Sequence, residues 1–113
     1  VQETYEEENP REGIVVAYLD RALPEGWDDL DLYARRAWLE TDAVGTVPRT
    51  HVCTLEIWAE ALGGNPDKLD RYGSKEIRDI MAKLPEWRRN GKNRRRFKPY
   101  GQQRYFERSE RSG

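Results

Sequence analysis

The chain has 113 residues with 20 Lys and Arg, 21 Asp and Glu and a single Cys, a size that fits one modest domain and excludes a large two-domain enzyme. No run of eighteen apolar residues marks a membrane span, and one cysteine, Cys53, excludes an internal disulfide or a CxxC metal or redox motif. The charge is split: residues 1–70 carry 6 basic and 16 acidic side chains, a balance of −10, and residues 71–113 carry 14 and 5, a balance of +9. That asymmetry points to a polyanion partner for the basic half, or to mutual neutralisation of the halves.

The chain opens on Val1 rather than Met, which reads as the cut end of something longer. The acidic leader, with Glu3, Glu6, Glu7 and Glu8, lacks the basic and apolar regions of a secretory signal, and a reducing cytoplasm fits. Asn9-Pro10-Arg11-Glu12 is a helix start, with Asn9 as N-cap and Pro10 at the first helical position. Ile14, Val15, Tyr18, Leu19 and Ala22 follow at helical spacing, and Pro24 stops the helix near Leu23. Asp28 and Asp31 open a second amphipathic segment whose packing side is Leu32, Tyr33, Ala34, Ala37 and Trp38, with Arg35 and Arg36 facing water. These two helices are expected to pair as a hairpin and to form an extension over residues 1–42. Residues 41–49, with Gly45 and Pro48, are the linker into a second unit over residues 43–113.

A short extended piece at residues 47–52 precedes a third helix through Leu55, Ile57, Trp58, Ala59, Ala61 and Leu62, which Gly63-Gly64 stops. Residues 65–71 suit one or two helical turns around Leu69. Ser74 then caps a fourth helix, in which Ile77, Ile80, Met81 and Leu84 form one apolar stripe and Pro85 ends it. Lys75, Arg78, Asp79 and Ala82 fall on its opposite side. From Trp87 on, basic and aromatic residues alternate with period two, the mark of strands. The turn Pro99-Tyr100-Gly101-Gln102 makes residues 94–108 a hairpin, with Asn90-Gly91 as a competing turn. The fold expected is mainly α with a small β-hairpin: a helical pair followed by a winged-helix-like module, with residues 74–84 as recognition helix and 94–108 as wing.

Three segments, VCTLEIWAEALGG, SKEIRDIMAKLPEW and RRRFKPYGQQRYFER, resemble the C-terminal end of the virulence-associated protein E family. The upstream stretch REGIVVAYLDRALPEGWDDLDLYARRAWLE resembles the segment after the ATPase core of those proteins, so the likeness spans roughly residues 5–108. The family comprises primase-helicase-like NTPases of phages and genomic islands. The resemblance implies a non-catalytic, DNA-contacting segment beside the ATPase domain of a parent chain, in a bacterial or phage-infected cytoplasm. No G-x-x-x-x-G-K-[ST] phosphate loop occurs, so no catalytic residue of the family has a position here.

The residues expected to contact DNA of either strandedness, with low sequence specificity, are Lys75, Arg78, Arg94, Arg95, Arg96, Lys98, Tyr100 and Arg104. The cations neutralise phosphates, and Tyr100 offers a ring for stacking. Glu76 and Asp79 beside Lys75 and Arg78 argue against tight readout by the helix. Phe97 and Phe106 are expected to pack the wing on the core, and Trp27, Trp38, Trp58 and Trp87 to anchor that core. Glu56 and Glu60, one turn apart, read as a surface pair. His51 and Cys53 lack the second pair that a zinc site needs, and neither a metal, a cofactor nor a small-molecule substrate is expected. The competing reading is a protein-interaction module, docking on the ATPase ring or a host replication partner through Asp28, Asp29 and Asp31.

Overall fold

The computed structural model describes residues 9–109; the expected acidic leader, residues 1–8, lies outside the described residues, as do residues 110–113. Helix α1 (Pro10–Asp20) starts as the sequence dictates: the Asn9 side chain accepts the Arg11 N–H at 2.9 Å, and Pro10 occupies the first turn, where no N–H is needed. It ends at Asp20, because Arg21 is already extended and Leu23 bridges to Val47. A 3₁₀ turn (Trp27–Asp29) leads to helix α2 (Leu32–Leu39), capped by Asp31, whose carboxylate accepts the Ala34 N–H.

Strand β1 (His51–Cys53) runs directly into helix α3 (Thr54–Glu56), which continues as a π-helical segment (Ile57–Ala61). After a 3₁₀ turn (Pro66–Lys68) comes helix α4 (Arg71–Ala82). It begins a turn before Ser74 because Asp70 is the cap that accepts the Gly73 N–H. Strands β2 (Trp87–Phe97) and β3 (Gly101–Arg108) complete an antiparallel three-stranded sheet of order β1-β3-β2. The fold is therefore mixed α/β rather than mainly α. The sheet grows beyond a small hairpin because β1 adds to β3 and β2 starts at Trp87, seven residues earlier than expected.

The two competing turns are both used, in different ways. Phe97 C=O accepts the Tyr100 N–H at 2.8 Å and Gly101 follows with φ +79°, a left-handed conformation open to Gly without strain, so the chain reverses at residues 98–100. Asn90-Gly91 instead opens a bulge. Asn90 pairs with Tyr105 and Arg95 with Gln103, which leaves residues 91–94 opposite Arg104 alone. The Asn90 side-chain carbonyl shapes this loop by accepting the Lys92 and Asn93 N–H groups.

One apolar cluster joins Val15, Tyr18 and Leu19 of α1 to Val52, Ile57, Ile77, Ile80, Met81, Trp87 and Phe106. The packing thus crosses residue 42 without a gap. Helices α1 and α2 lie on the π-helical segment more than on each other, so they are not a helical hairpin in packing terms. Ile77, Ile80 and Met81 are buried as their spacing requires, and Leu84 packs against the cluster from its edge. Trp27 and Trp87 are buried, while Trp38 and Trp58 are half-buried. Among the described residues no helix is long and apolar enough to cross a membrane.

The largest departure from the sequence-based expectation lies on α2. Arg35 does not face water: it is 0% exposed, whereas Tyr33, expected to pack, is 83% exposed. Nor are Glu56 and Glu60 a surface pair, since both are buried. The helix turns its arginines inward because α3 offers charged and polar acceptors there. Arg36 likewise donates to the carbonyls of Ala59 and Gly64 at the helix end.

Candidate nucleic-acid interface

Two cations of the basic half, Arg94 and Arg104, meet at a groove between the β2–β3 hairpin and a wall of α3, the 3₁₀ turn and the start of α4, a space of about 460 Å³ lined by Thr54, Leu55, Pro66, Leu69, Ser74, Arg94, Gln102, Gln103 and Arg104. Each wall follows from a local rule. On β3, period two puts Gln102 and Arg104 on the face of Phe106; Phe106 is buried in the apolar cluster, whereas Gln102 and Arg104 are exposed. The bulge brings Arg94 opposite Arg104. Ser74 marks the near flank of α4, and at about 100° per residue Arg71 and Arg78 share that flank. Among the described residues no Asp or Glu lines the groove, whereas Arg94, Arg104, Thr54, Ser74 and Gln102 do; the Gln103 amide donates instead to the Tyr100 carbonyl. Such a set donates hydrogen bonds and positive charge to a phosphate without opposing it.

The expected contact residues are only partly brought together. Arg94 and Arg104 enter the groove, and Arg78 flanks it. Arg96 pairs across the ladder with Gln102, and Lys98 is exposed in the hairpin turn. Arg94, Arg96, Lys98 and Arg104 have no ion-pair partner among the described residues. Lys75 points away from the groove and pairs with Asp79 at 2.9 Å, an exposed i,i+4 pair. Arg95 lies on the other face of the sheet, 4.0 Å from Asp28. Glu76, expected to repel phosphate, is taken up by Asn9 and Arg11 on the far side of α4. Thr54, Arg71, Ser74, Gln102 and Gln103 were not among the contacts expected from the sequence. The alternation that places Phe106 inward would have found Gln102.

Tyr100 is not a free stacking ring. Its hydroxyl donates to Glu60 Oε2 at 2.6 Å, joining a buried polar cluster. There Arg35 Nη1 donates to Glu56 Oε2 and Glu60 Oε2, both at 2.9 Å, Tyr18 donates to Glu60 Oε1 at 2.7 Å, and the Cys53 N–H donates to Glu56 Oε1. Arg49 lies 3.8 Å from Glu56 and stacks over Tyr18. Burial pushes the Glu56 carboxyl up to about 7; Arg49 and Arg35 oppose the shift and the neighbouring Glu60 adds to it. Burial and then Glu60 hold the Tyr100 phenol well above its ordinary value, so it stays a donor.

Phe97 and Phe106 are buried, as packing of the hairpin demands. His51 is held by Thr50 Oγ1 at 2.7 Å, and burial together with Arg95 lowers its imidazole. Among the described residues no three His, Cys, Asp or Glu side chains are grouped to hold a metal ion. Comparison with family models gives no match for this chain, and comparison with curated proteins gives none either.

Proposed function

We propose that this chain is a non-catalytic DNA-binding module that holds the phosphate backbone in the groove between α4 and the hairpin, with little sequence preference. The observation that carries the reading is that, among the described residues, no acidic side chain lines the groove around Arg94 and Arg104. From β1 on, the elements run strand, helix, 3₁₀ turn, helix and hairpin, with sheet order β1-β3-β2, which supports a winged-helix-like reading of residues 43–113. In that arrangement α4 is the recognition helix and the hairpin is the wing. The resemblance to the virulence-associated protein E family supports a position beside the ATPase motor of a primase-helicase-like parent, in the cytoplasm. α4 carries neither Asn nor Gln, the side chains that read adenine edges, which favours backbone contact over base readout.

The test is a salt series. Each neutralised phosphate steepens the log–log dependence of duplex affinity on salt by roughly 0.9. A slope of about two or more, the value for phosphates held by the two guanidiniums of the groove, supports the reading, and salt-independent or absent binding at low salt removes it.

A second reading, docking of a basic protein partner, draws on the exposed Asp28 and Asp29. Asp31 is unsuited to it, being engaged as the cap of α2. Loss of a partner on Asp28→Asn/Asp29→Asn, with DNA binding absent from the parent, would favour that reading.

A further inference from the structure

The hairpin is tied to the fold unevenly along its length. Its base is held by β1, whose residues His51, Val52 and Cys53 pair with Glu107, Phe106 and Tyr105. Beyond the bulge, Arg95, Arg96 and Phe97 pair only with Gln103, Gln102 and Gly101, a two-stranded ribbon. Such a ribbon is marginal by itself, and the break in the ladder at residues 91–94 is where it can swing. Besides the exposed Arg95–Asp28 pair at 4.0 Å, two contacts fix its far end: the buried Phe97 ring, and the Tyr100 hydroxyl on Glu60. The first is a non-directional packing contact. The second is directional, at 2.6 Å, on the Glu60 oxygen that Arg35 holds in place from α2, while Tyr18 engages the other oxygen.

We propose that Tyr100 and Glu60 are positioning residues for nucleic-acid binding: a hydroxyl–carboxylate latch that closes the outer hairpin on the π-helical segment and so keeps Arg94 and Arg104 turned toward α4. The geometry of the latch stands on its own; its consequence for binding rests on the function proposed above. Tyr100 acts through the two arginines, without touching the nucleic acid. The π-helical turn that carries Glu60 is the kind of local irregularity that recurs at functional sites.

The experiment pairs two variants that each delete one hydroxyl from Glu60: Tyr100→Phe, which opens the latch, and Tyr18→Phe, which removes a bond of similar length inside the core. Pulsed electron resonance between spin labels at Lys98→Cys and Tyr72→Cys reads the hairpin's position, and titration of the unlabelled proteins with a labelled duplex reads binding. Both labelled sites are exposed, and the native Cys53 is buried. The latch predicts a broadened distance distribution for Tyr100→Phe alone, with duplex affinity lowered about tenfold and a shallower salt slope. A distribution like the parent's overturns it, as does a broadened one with affinity and slope unchanged. Equal broadening in Tyr18→Phe also overturns it, because the effect then belongs to the core cluster. A Tyr100→Phe chain without a cooperative melt does so too, since the hydroxyl would then hold the fold and not the hairpin. If the parent shows no salt-dependent binding, the function falls and the distance distribution alone decides the latch.

Discussion

Arg35 Nη1 lies 2.9 Å from Glu60 Oε2, with the side chains of both residues at 0% exposure. The same nitrogen reaches Glu56 at an equal distance, so one guanidinium from α2 serves two carboxylates that would otherwise repel each other inside the protein. A buried ion pair of this kind adds little net stability over an apolar substitute, yet breaking it strands a buried charge. Its role in the fold is to fix how α2 sits on α3.

Arg35→Met is therefore expected to cost about 3–5 kcal/mol, the range for leaving buried partners uncompensated. Urea denaturation measures it. A loss within about 1 kcal/mol, the value of an exposed pair, would mean that Arg35 is solvated.

The same cluster makes stability depend on pH through Glu56. Its carboxyl titrates near 7 in the folded chain against 4.5 as the ordinary value, so between those limits the folded state binds more protons than the unfolded one. The contribution is full below about pH 4.5 and is lost as pH rises through about 7. Urea midpoints at pH 5 and pH 8 should differ in favour of pH 5, and Glu56→Gln should shrink the difference. A Gln variant with the parent's full pH dependence would contradict this.

Ile80→Asp and Met81→Asp place a carboxylate in the cluster where α4 meets α1 and the sheet. Each is expected to abolish the cooperative thermal transition or to cost several kcal/mol, on the order given for an unpaired buried charge. A native-like melt for either would show that α4 buries another face.

Much of this fold was legible in the sequence because its signals are local. Asn9-Pro10 sets the start of α1, and the stripe of Ile77, Ile80 and Met81 identifies the buried face of α4. The hairpin follows from alternation and from Gly101. The polar cluster was illegible for the opposite reason. A charged residue normally marks a solvated face, and the partners that bring Arg35 inside stand 21 and 25 residues away. Asn90-Gly91 carries the same local signal for a bulge as for a turn, and only pairing with β3 decides between them. The basic residues were legible as a group, but their division was not. Which of them face α4 depends on strand register, and the bulge resets that register between Asn90 and Arg95.

The groove is tested most directly by removing its two guanidiniums and comparing the loss with that from a cation outside it. Arg94→Ser/Arg104→Ser and Lys75→Ser should both stay folded, since all three side chains are exposed. Fluorescence anisotropy with a labelled duplex at about 50 and 200 mM salt, a span over which phosphate contacts weaken strongly, gives affinity and slope for each. The double variant should lose affinity on every duplex sequence, with its slope flattened by about one unit per contact removed. Lys75→Ser should bind nearly as the parent does, because Asp79 already engages that lysine. A double variant that binds like the parent, or a larger loss from Lys75→Ser, would contradict the assignment of this groove as the nucleic-acid interface.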